Sequence, residues 1–263
     1  MPSSIEFIRL APELRRFARI VTGHQDSGDK LVTATLELIS KTQIETGETS
    51  ARLVYLRAMT DLWLGEYGDE LREHGTGNGP NSGNGSSNAD SRQAYLLKHV
   101  AGLRPRDIGF VLRRDAETAE RLVDVEERSL ADARPANVLI IEDELFVAAD
   151  LEAIVEGLGH TVVGLATTRT NAVALAKEHR PDIILSDIQL ADGSSGLDAA
   201  TDIAEYHTAP TVFITAFPER LLTGQGAEPA YLIEKPFRAD DIRTNLSQAL
   251  FVSRQQYQLE TIS

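Results

Sequence analysis

Two periodicities divide this chain. Up to about residue 131 apolar side chains recur every three or four positions, and from Asn137 they come in short unbroken runs. The first spacing marks helices with one buried face; the second marks strands covered on both sides. Phe7, Leu10, Leu14, Phe17, Ala18 and Val21 form one helical stripe, with Ser3 and Glu6 spaced as a capping box in front of it. A second helix is expected from near Asp26 or Asp29 through Leu31, Thr35, Leu38 and Ile39. A third is expected from near Thr49, with Leu53, Leu56, Thr60 and Leu64 on one side and Trp63 and Tyr67 beside them.

Residues 74–90, HGTGNGPNSGNGSSNAD, interrupt the pattern with almost no apolar side chain to bury. That composition predicts a flexible linker reaching about 20–25 Å. Its G-x-G patterns follow no strand and do not read as a phosphate loop. Helical spacing returns over 91–131. Leu96, Leu97 and Val100 share a face that Gly102 can end, and Ile108, Val111 and Leu112 mark a short helix. Asp115 can cap a longer one, with Ala119, Leu122, Val123 and Leu130 inward. Short helix, turn, longer helix is the outline of a helix-turn-helix.

From Asn137, apolar runs near 138–141, 161–166, 183–186, 211–215 and 230–233 alternate with helical stretches such as Val147, Leu151, Ile154, Val155 and Leu158. Five strands in a βα alternation predict a doubly wound parallel sheet. After the fourth run, Pro218, Gly224, Gly226 and Pro229 leave room only for a short or distorted helix. The expected organisation is a helical section in two lobes (1–73 and 91–131) joined by the linker 74–90, a connector at 132–136, and an α/β domain over 137–263.

A chain of 263 residues can build two such cores. It has no cysteine, which excludes disulfides, thiolate metal sites and a cysteine nucleophile and fits a reducing cytoplasm. No apolar run approaches the roughly 18–20 residues of a membrane span, and the N-terminus lacks a signal peptide's layout, so a soluble cytoplasmic protein is expected. The formal charge of −14 is uneven: residues 1–135 hold 18 Lys and Arg against 21 Asp and Glu, residues 136–263 hold 8 against 19. The second part should repel nucleic acid, and the first is not basic enough to attract it strongly. The six histidines form no H-x-x-x-H or H-E-x-x-H pair, and no nucleophile elbow or Gly-rich loop follows a strand. An enzymatic output therefore has no motif to carry it.

The strand ends carry the candidate chemistry. Glu142 and Asp143 end the first run, Asp187 the third, Thr215 the fourth, and Lys235 with Pro236 closes the fifth. Ligands of open parallel sheets collect beyond the carboxyl ends of the strands, so these groups should share one crevice. It would offer acids for a divalent cation, one acid to be phosphorylated, and a hydroxyl and an ammonium for phosphoryl oxygens.

The segments IIED (140–143), LSDIQL (185–190), ITA (214–216) and EKPF (234–237) resemble a response-regulator receiver domain, a flavodoxin-like fold with strand order 2-1-3-4-5. The resemblance implies phosphorylation of Asp187 and phosphoryl contacts from Thr215 and Lys235. It also implies Mg²⁺, or another divalent cation, held by Glu142, Asp143, Asp187 and the backbone carbonyl of Gln189. The receiver then promotes only its own phosphorylation, from a sensor histidine kinase or a phosphotransferase. The sequence departs from many receivers in one respect: Leu232 stands three residues before the lysine where an aromatic is common, and Tyr231 is one place earlier. Together with the odd stretch containing Pro218, Gly224 and Gly226, this puts the usual threonine–aromatic relay of the switch region in question.

Residues 14–38 and 96–122 resemble the core-polymerase-binding and helix-turn-helix segments of a small extracytoplasmic-function sigma factor. Yet Asp115–Arg128, where a recognition helix needs basic and long polar side chains, holds six acids against Arg121 and Arg128. Arg104, Arg106, Arg113 and Arg114 are the residues left for DNA backbone. The whole arrangement resembles the PhyR-type stress regulators. That family resemblance implies that the receiver covers the sigma-like half until phosphorylated, and that the freed half captures a NepR-type anti-sigma factor, releasing the true sigma factor. No direct promoter contact and no membrane contact is then expected. The alternative is a receiver-gated transcription factor or a working sigma factor.

Overall fold

The computed structural model describes residues 4–42, 50–66, 86–218 and 228–262. They divide into two compact units with the boundary between Asp132 and Ala133. The first unit is helical: α1 (Ser4–Thr22), α2 (Gln25–Thr42), α3 (Ala51–Glu66), α4 (Ser86–His99), α5 (Pro105–Leu112) and α6 (Ala116–Ala131). Leu14, Phe17, Ala18 and Val21 of α1 are buried as their stripe predicts, as are Leu31, Thr35 and Ile39 of α2. A carboxylate joins these helices: Asp29 receives Arg15 at 3.1 and 3.0 Å, and this hydrogen bonding holds its carboxyl below the usual range.

Two expectations shift. The buried side of α3 is Val54, Tyr55, Leu56, Ala58, Met59 and Thr60, whereas Leu53 and Leu64 are only half-buried. The reason is that α3 packs against three helices, α1, α2 and α5, so a single stripe underestimates its buried face. Second, the stretch expected as linker ends early, because α4 begins at Ser86. Ser and Asn read as linker residues, but they are also the residues that helix starts favour. Residues 74–85, like Ser3, Thr49 and Tyr67, lie outside the described residues, and so do Gly224 and Gly226.

The helix-turn-helix forms as expected. Gly102, at φ +63, turns the chain after α4 in the left-handed conformation that costs other residues energy. Asp115 caps α6 by accepting the Thr118 N–H at 2.7 Å. From α3, Thr60 bonds Gln93 at 3.1 Å, Asp61 takes both arms of Arg113 at 2.8 and 2.7 Å, and Arg52 reaches the Ala101 carbonyl.

The second unit is a five-stranded parallel sheet flanked by helices. In chain order it contains β1 (Asn137–Ile141), α7 (Leu145–Gly157), β2 (Thr161–Ala166), α8 (Arg169–His179) and β3 (Ile183–Asp187). Then follow α9 (Gly196–Ala204), β4 (Thr211–Thr215), β5 (Tyr231–Glu234) and α10 (Ala239–Ile262). The strands lie side by side as β2-β1-β3-β4-β5, the order expected. Leu139, Ile141 and Ile184 pack on Ala172, Ala176, Ala199 and Ile203 of α8 and α9, while Val138 and Ile140, pointing the other way, are buried as well. Burial on both faces is why these strands read as continuous apolar runs. Among the described residues no helix is long and apolar enough to cross a membrane.

His160, in the turn before β2, accepts the Ala136 N–H on Nδ1 at 3.2 Å. Burial, aided by the charge of Arg254, pushes its pKa below the ordinary 6.5. The unfolded chain therefore binds the proton first as pH falls, and stability should drop with pH below about 6.5 until the folded imidazole titrates. One proton limits the slope to about 1.4 kcal/mol per pH unit. Urea unfolding of the full chain across pH 7.5 to 5.5 should show this slope in the second unit, and His160→Gln should flatten it. An equal slope in the variant would exclude His160 as its source.

Candidate functional site

Three strand ends and one loop meet at the carboxyl edge of the sheet. Asp187 ends β3 and is paired across to Ile214 of β4; Thr215 follows Ile214 and is paired to Glu234, next to Lys235. This register places an acid, a hydroxyl and an ammonium side by side at one edge. The Lys235 N–H donates to the Thr215 carbonyl at 2.8 Å, which fixes where the lysine leaves the sheet.

Lys235 Nζ lies 2.6 Å from Asp187 Oδ2, 2.9 Å from Glu142 Oε2 and 3.5 Å from Glu144 Oε1. Asp187 Oδ1 accepts the Gln189 N–H at 3.1 Å, so both its oxygens have donors and the carboxylate is held in one orientation. The electrostatics follow from burial. Desolvation raises the pKa of the Glu142 carboxyl, with the Lys235 hydrogen bond opposing it. Burial also works against the Lys235 charge, but Asp187 and Glu142 outweigh it and the ammonium is held protonated above its usual range. Thr215 is buried, and its Oγ1 accepts the Phe217 N–H at 3.1 Å.

Gly196, at the start of α9, lets two backbones approach beside this site. A Cβ there would lie 1.8 Å from the Asp187 carbonyl oxygen and 2.2 Å from Ser186 Oγ. The Gly196 N–H meanwhile donates to the Ile188 carbonyl at 3.1 Å, which ties the loop after β3 to the helix.

One oxygen each from Glu142, Glu144 and Asp187 fall within 4.8 Å of one another. Three carboxylates at that spacing form an all-oxygen donor set, which suits a hard divalent cation such as magnesium. Asp143 is half-buried and is not one of the three. Glu144 is the member that the motif reading missed. The signal was its place directly after the acidic pair, but residues in a loop carry no periodicity to say which way they face. Of the switch-region residues, Pro218 follows the Phe217 turn, Tyr231 opens β5, and both Tyr231 and Leu232 are core residues.

In the helical unit, two of the four arginines offered for DNA are engaged with acids, while Arg104 and Arg106 stay exposed. Arg113 is paired with Asp61, and Arg114 with Asp90 at 3.0 Å. Two acids of α6 are likewise held by α4: Glu126 by Arg92 at 2.7 Å and Glu127 by Lys98 at 2.9 Å. Asp115 at the cap of α6, and Glu117, Glu120 and Asp124 on it, remain exposed, with Arg121 paired to Glu117 at 3.6 Å, so a groove of phosphates would meet more acids than bases there.

A parallel sheet in this order, with acids after β1 and at the end of β3, a hydroxyl on β4 and a lysine after β5, defines a response-regulator receiver. Residues 138–247 match the family described as response regulator receiver domain, and residues 9–59 match the sigma2 domain of PhyR. The chain is 44% identical over 246 residues to the phyllosphere-induced regulator PhyR of Methylorubrum extorquens, covering 91% of each. It is also similar to the crystal structure of the anti-anti-sigma factor PhyR from Bartonella quintana, with 37% identity, a TM-score of 0.81, and coverage of 97% and 99% of the two chains. The response regulator PhyR from Brucella abortus gives 38% identity, a TM-score of 0.77, and coverage of 95% and 96%. The chain belongs to the PhyR family of response regulators, with a sigma-like helical unit ahead of a receiver.

Proposed function

We propose that Asp187 is the phosphoacceptor and that its phosphorylation frees the sigma-like unit to capture an anti-sigma factor of the NepR type. The carrying observation is the Asp187 carboxylate clamped between the Lys235 ammonium at 2.6 Å and the Gln189 N–H at 3.1 Å. In the transfer, an Asp187 oxygen bonds to phosphorus as the donor's P–N or P–O bond breaks, leaving an acyl phosphate on Asp187. The donor is a phosphohistidine of a sensor kinase or phosphotransferase, or a small acyl phosphate. Lys235 needs only a small shift to pair with a phosphoryl oxygen, and Glu142 remains as its second anchor. Thr215 Oγ1, which accepts from Phe217, directs its own proton to another phosphoryl oxygen. Glu142, Asp143, Asp187 and the Gln189 carbonyl would hold magnesium, which supplies neutralisation of phosphoryl charge when bound.

The output follows from family and from charge. The Bartonella quintana relative is an anti-anti-sigma factor and has been crystallised with the anti-sigma factor NepR. An acidic α6, and the pairing of Arg113 and Arg114 just after α5 with Asp61 and Asp90, favour a protein partner over promoter DNA in this chain. The setting is the cytoplasm, where kinase, sigma factor and polymerase act. Titration calorimetry of the full chain with a NepR-type protein should give at least about tenfold tighter binding after treatment with phosphodonor and Mg²⁺, a difference of about 1.4 kcal/mol. Equal affinities in the two states would overturn the proposal.

A further inference from the structure

Glu144 is the acid of this site to which the receiver resemblance assigns no role. The backbone directs it into the cluster. Glu144 is the N-cap of α7, at φ −76 and ψ 105, yet its side chain makes no capping hydrogen bond. Its N–H donates to Glu142 Oε1 at 3.2 Å, which closes the turn and keeps both acids on the same side. Its carboxylate turns to Lys235 instead of to the helix, at 3.5 Å. It is also the solvent-facing member of the group: its side chain is 65% exposed, against 0% for Glu142 and 10% for Asp187.

That gradient has a consequence for a hydrated cation. Magnesium gives up water reluctantly, and a buried pair of carboxylates is reached only after partial dehydration. An exposed carboxylate within 4.8 Å of both inner acids can bind the ion while several waters remain. Glu142 and Asp187 are each within hydrogen-bond distance of Lys235, so the ammonium offsets part of their charge toward an arriving ion. Glu144 is the more distant of the three from Lys235 and is less offset.

We infer that Glu144 is a ligand of the divalent-cation site, its outermost carboxylate, and that it sets the affinity of this receiver for the ion. The inference rests on the cation-assisted phosphorylation proposed above. Its reach is specific: Glu144→Gln keeps the size of the side chain and the backbone hydrogen bonds of the turn, and removes only the charge.

The test measures Mn²⁺ binding to the full chain by electron paramagnetic resonance of the free ion, at low and at high ionic strength, without any phosphodonor. Glu144→Gln is expected to raise the Kd for Mn²⁺ about fivefold or more at both, the order expected for losing one adjacent charge. An increase that disappears at high ionic strength would mean screened, long-range attraction, and would overturn the ligand role. An unchanged Kd would overturn it as well. A circular dichroism spectrum identical to that of the unaltered chain confirms that the variant is folded. The unaltered chain provides the separation from the parent reading: if it binds no Mn²⁺, cation-assisted phosphorylation fails together with this inference. If it binds Mn²⁺ and the variant binds equally well, only the role of Glu144 fails.

Discussion

Asp187→Asn should abolish acyl phosphate formation: after incubation with a small phosphodonor and Mg²⁺, mass spectrometry should find one added phosphoryl group on the unaltered chain and none on the variant. The amide oxygen can still accept the Gln189 N–H that now reaches Asp187 at 3.1 Å, so the loop after β3 keeps its hydrogen bond. What is lost is the proposed nucleophile. An amide oxygen has no negative charge to offer phosphorus, and removing a covalent nucleophile costs well over a hundredfold in rate, about 2.7 kcal/mol or more. Two changes in stability oppose each other: the 2.6 Å ion pair with Lys235 is weakened, while a repulsion with Glu142, whose pKa burial raises first and the Asp187 charge further, is relieved. A variant that stays folded and unphosphorylated thus separates chemistry from collapse. Phosphorylation of the variant at the normal level would remove Asp187 from the mechanism, and the dependence of partner capture on it would go too.

Gly196→Ala is the second large effect, and it acts through packing. The added Cβ would sit 1.8 Å from the Asp187 carbonyl oxygen and 2.2 Å from Ser186 Oγ, distances at which something must move. One obstacle is backbone at the end of a central strand, flanked by β1 and β4, so the cost cannot be absorbed by a flexible side chain. A loss of about 3 kcal/mol or more is expected, at the upper end of what overpacking does. Urea unfolding of the full chain reads it as a lower midpoint for the second unit, and slower phosphorylation should accompany it because the Asp187 backbone must shift. Gly157→Ala is the control, since an added Cβ there meets nothing within 4 Å. At the end of a helix that change should be neutral or stabilising by about 0.5–1 kcal/mol. If both variants unfold at the same midpoint, the close approach at Gly196 is not a constraint.

The parallel sheet was legible because strands buried on both faces leave unbroken apolar runs, and the runs ended in residues whose chemistry made sense only together. Val138–Ile141 and Ile183–Ser186 are the clearest cases: the structure pairs them directly and brings Glu142 and Asp187 to the same lysine. The helices were legible as helices but less so as surfaces. A stripe reports one neighbour, and α3 has three. The start of α4 inside a Gly, Asn and Ser stretch escaped for a related reason: the same polar residues serve linkers and helix N-termini.

Fold class, the order of the chemical groups along the chain and the mismatch between an acidic α6 and DNA are all properties of local residue choice, written linearly. Which acids converge is not local. Glu142, Glu144 and Asp187 meet because a parallel register aligns two strand ends and one hydrogen bond closes the turn after β1. That Arg113 and Arg114 pair with Asp61 and Asp90, residues far from them in sequence, was likewise decided by helix packing. Long-range pairing depends on distances through space, and a one-dimensional pattern carries those only where periodicity encodes them.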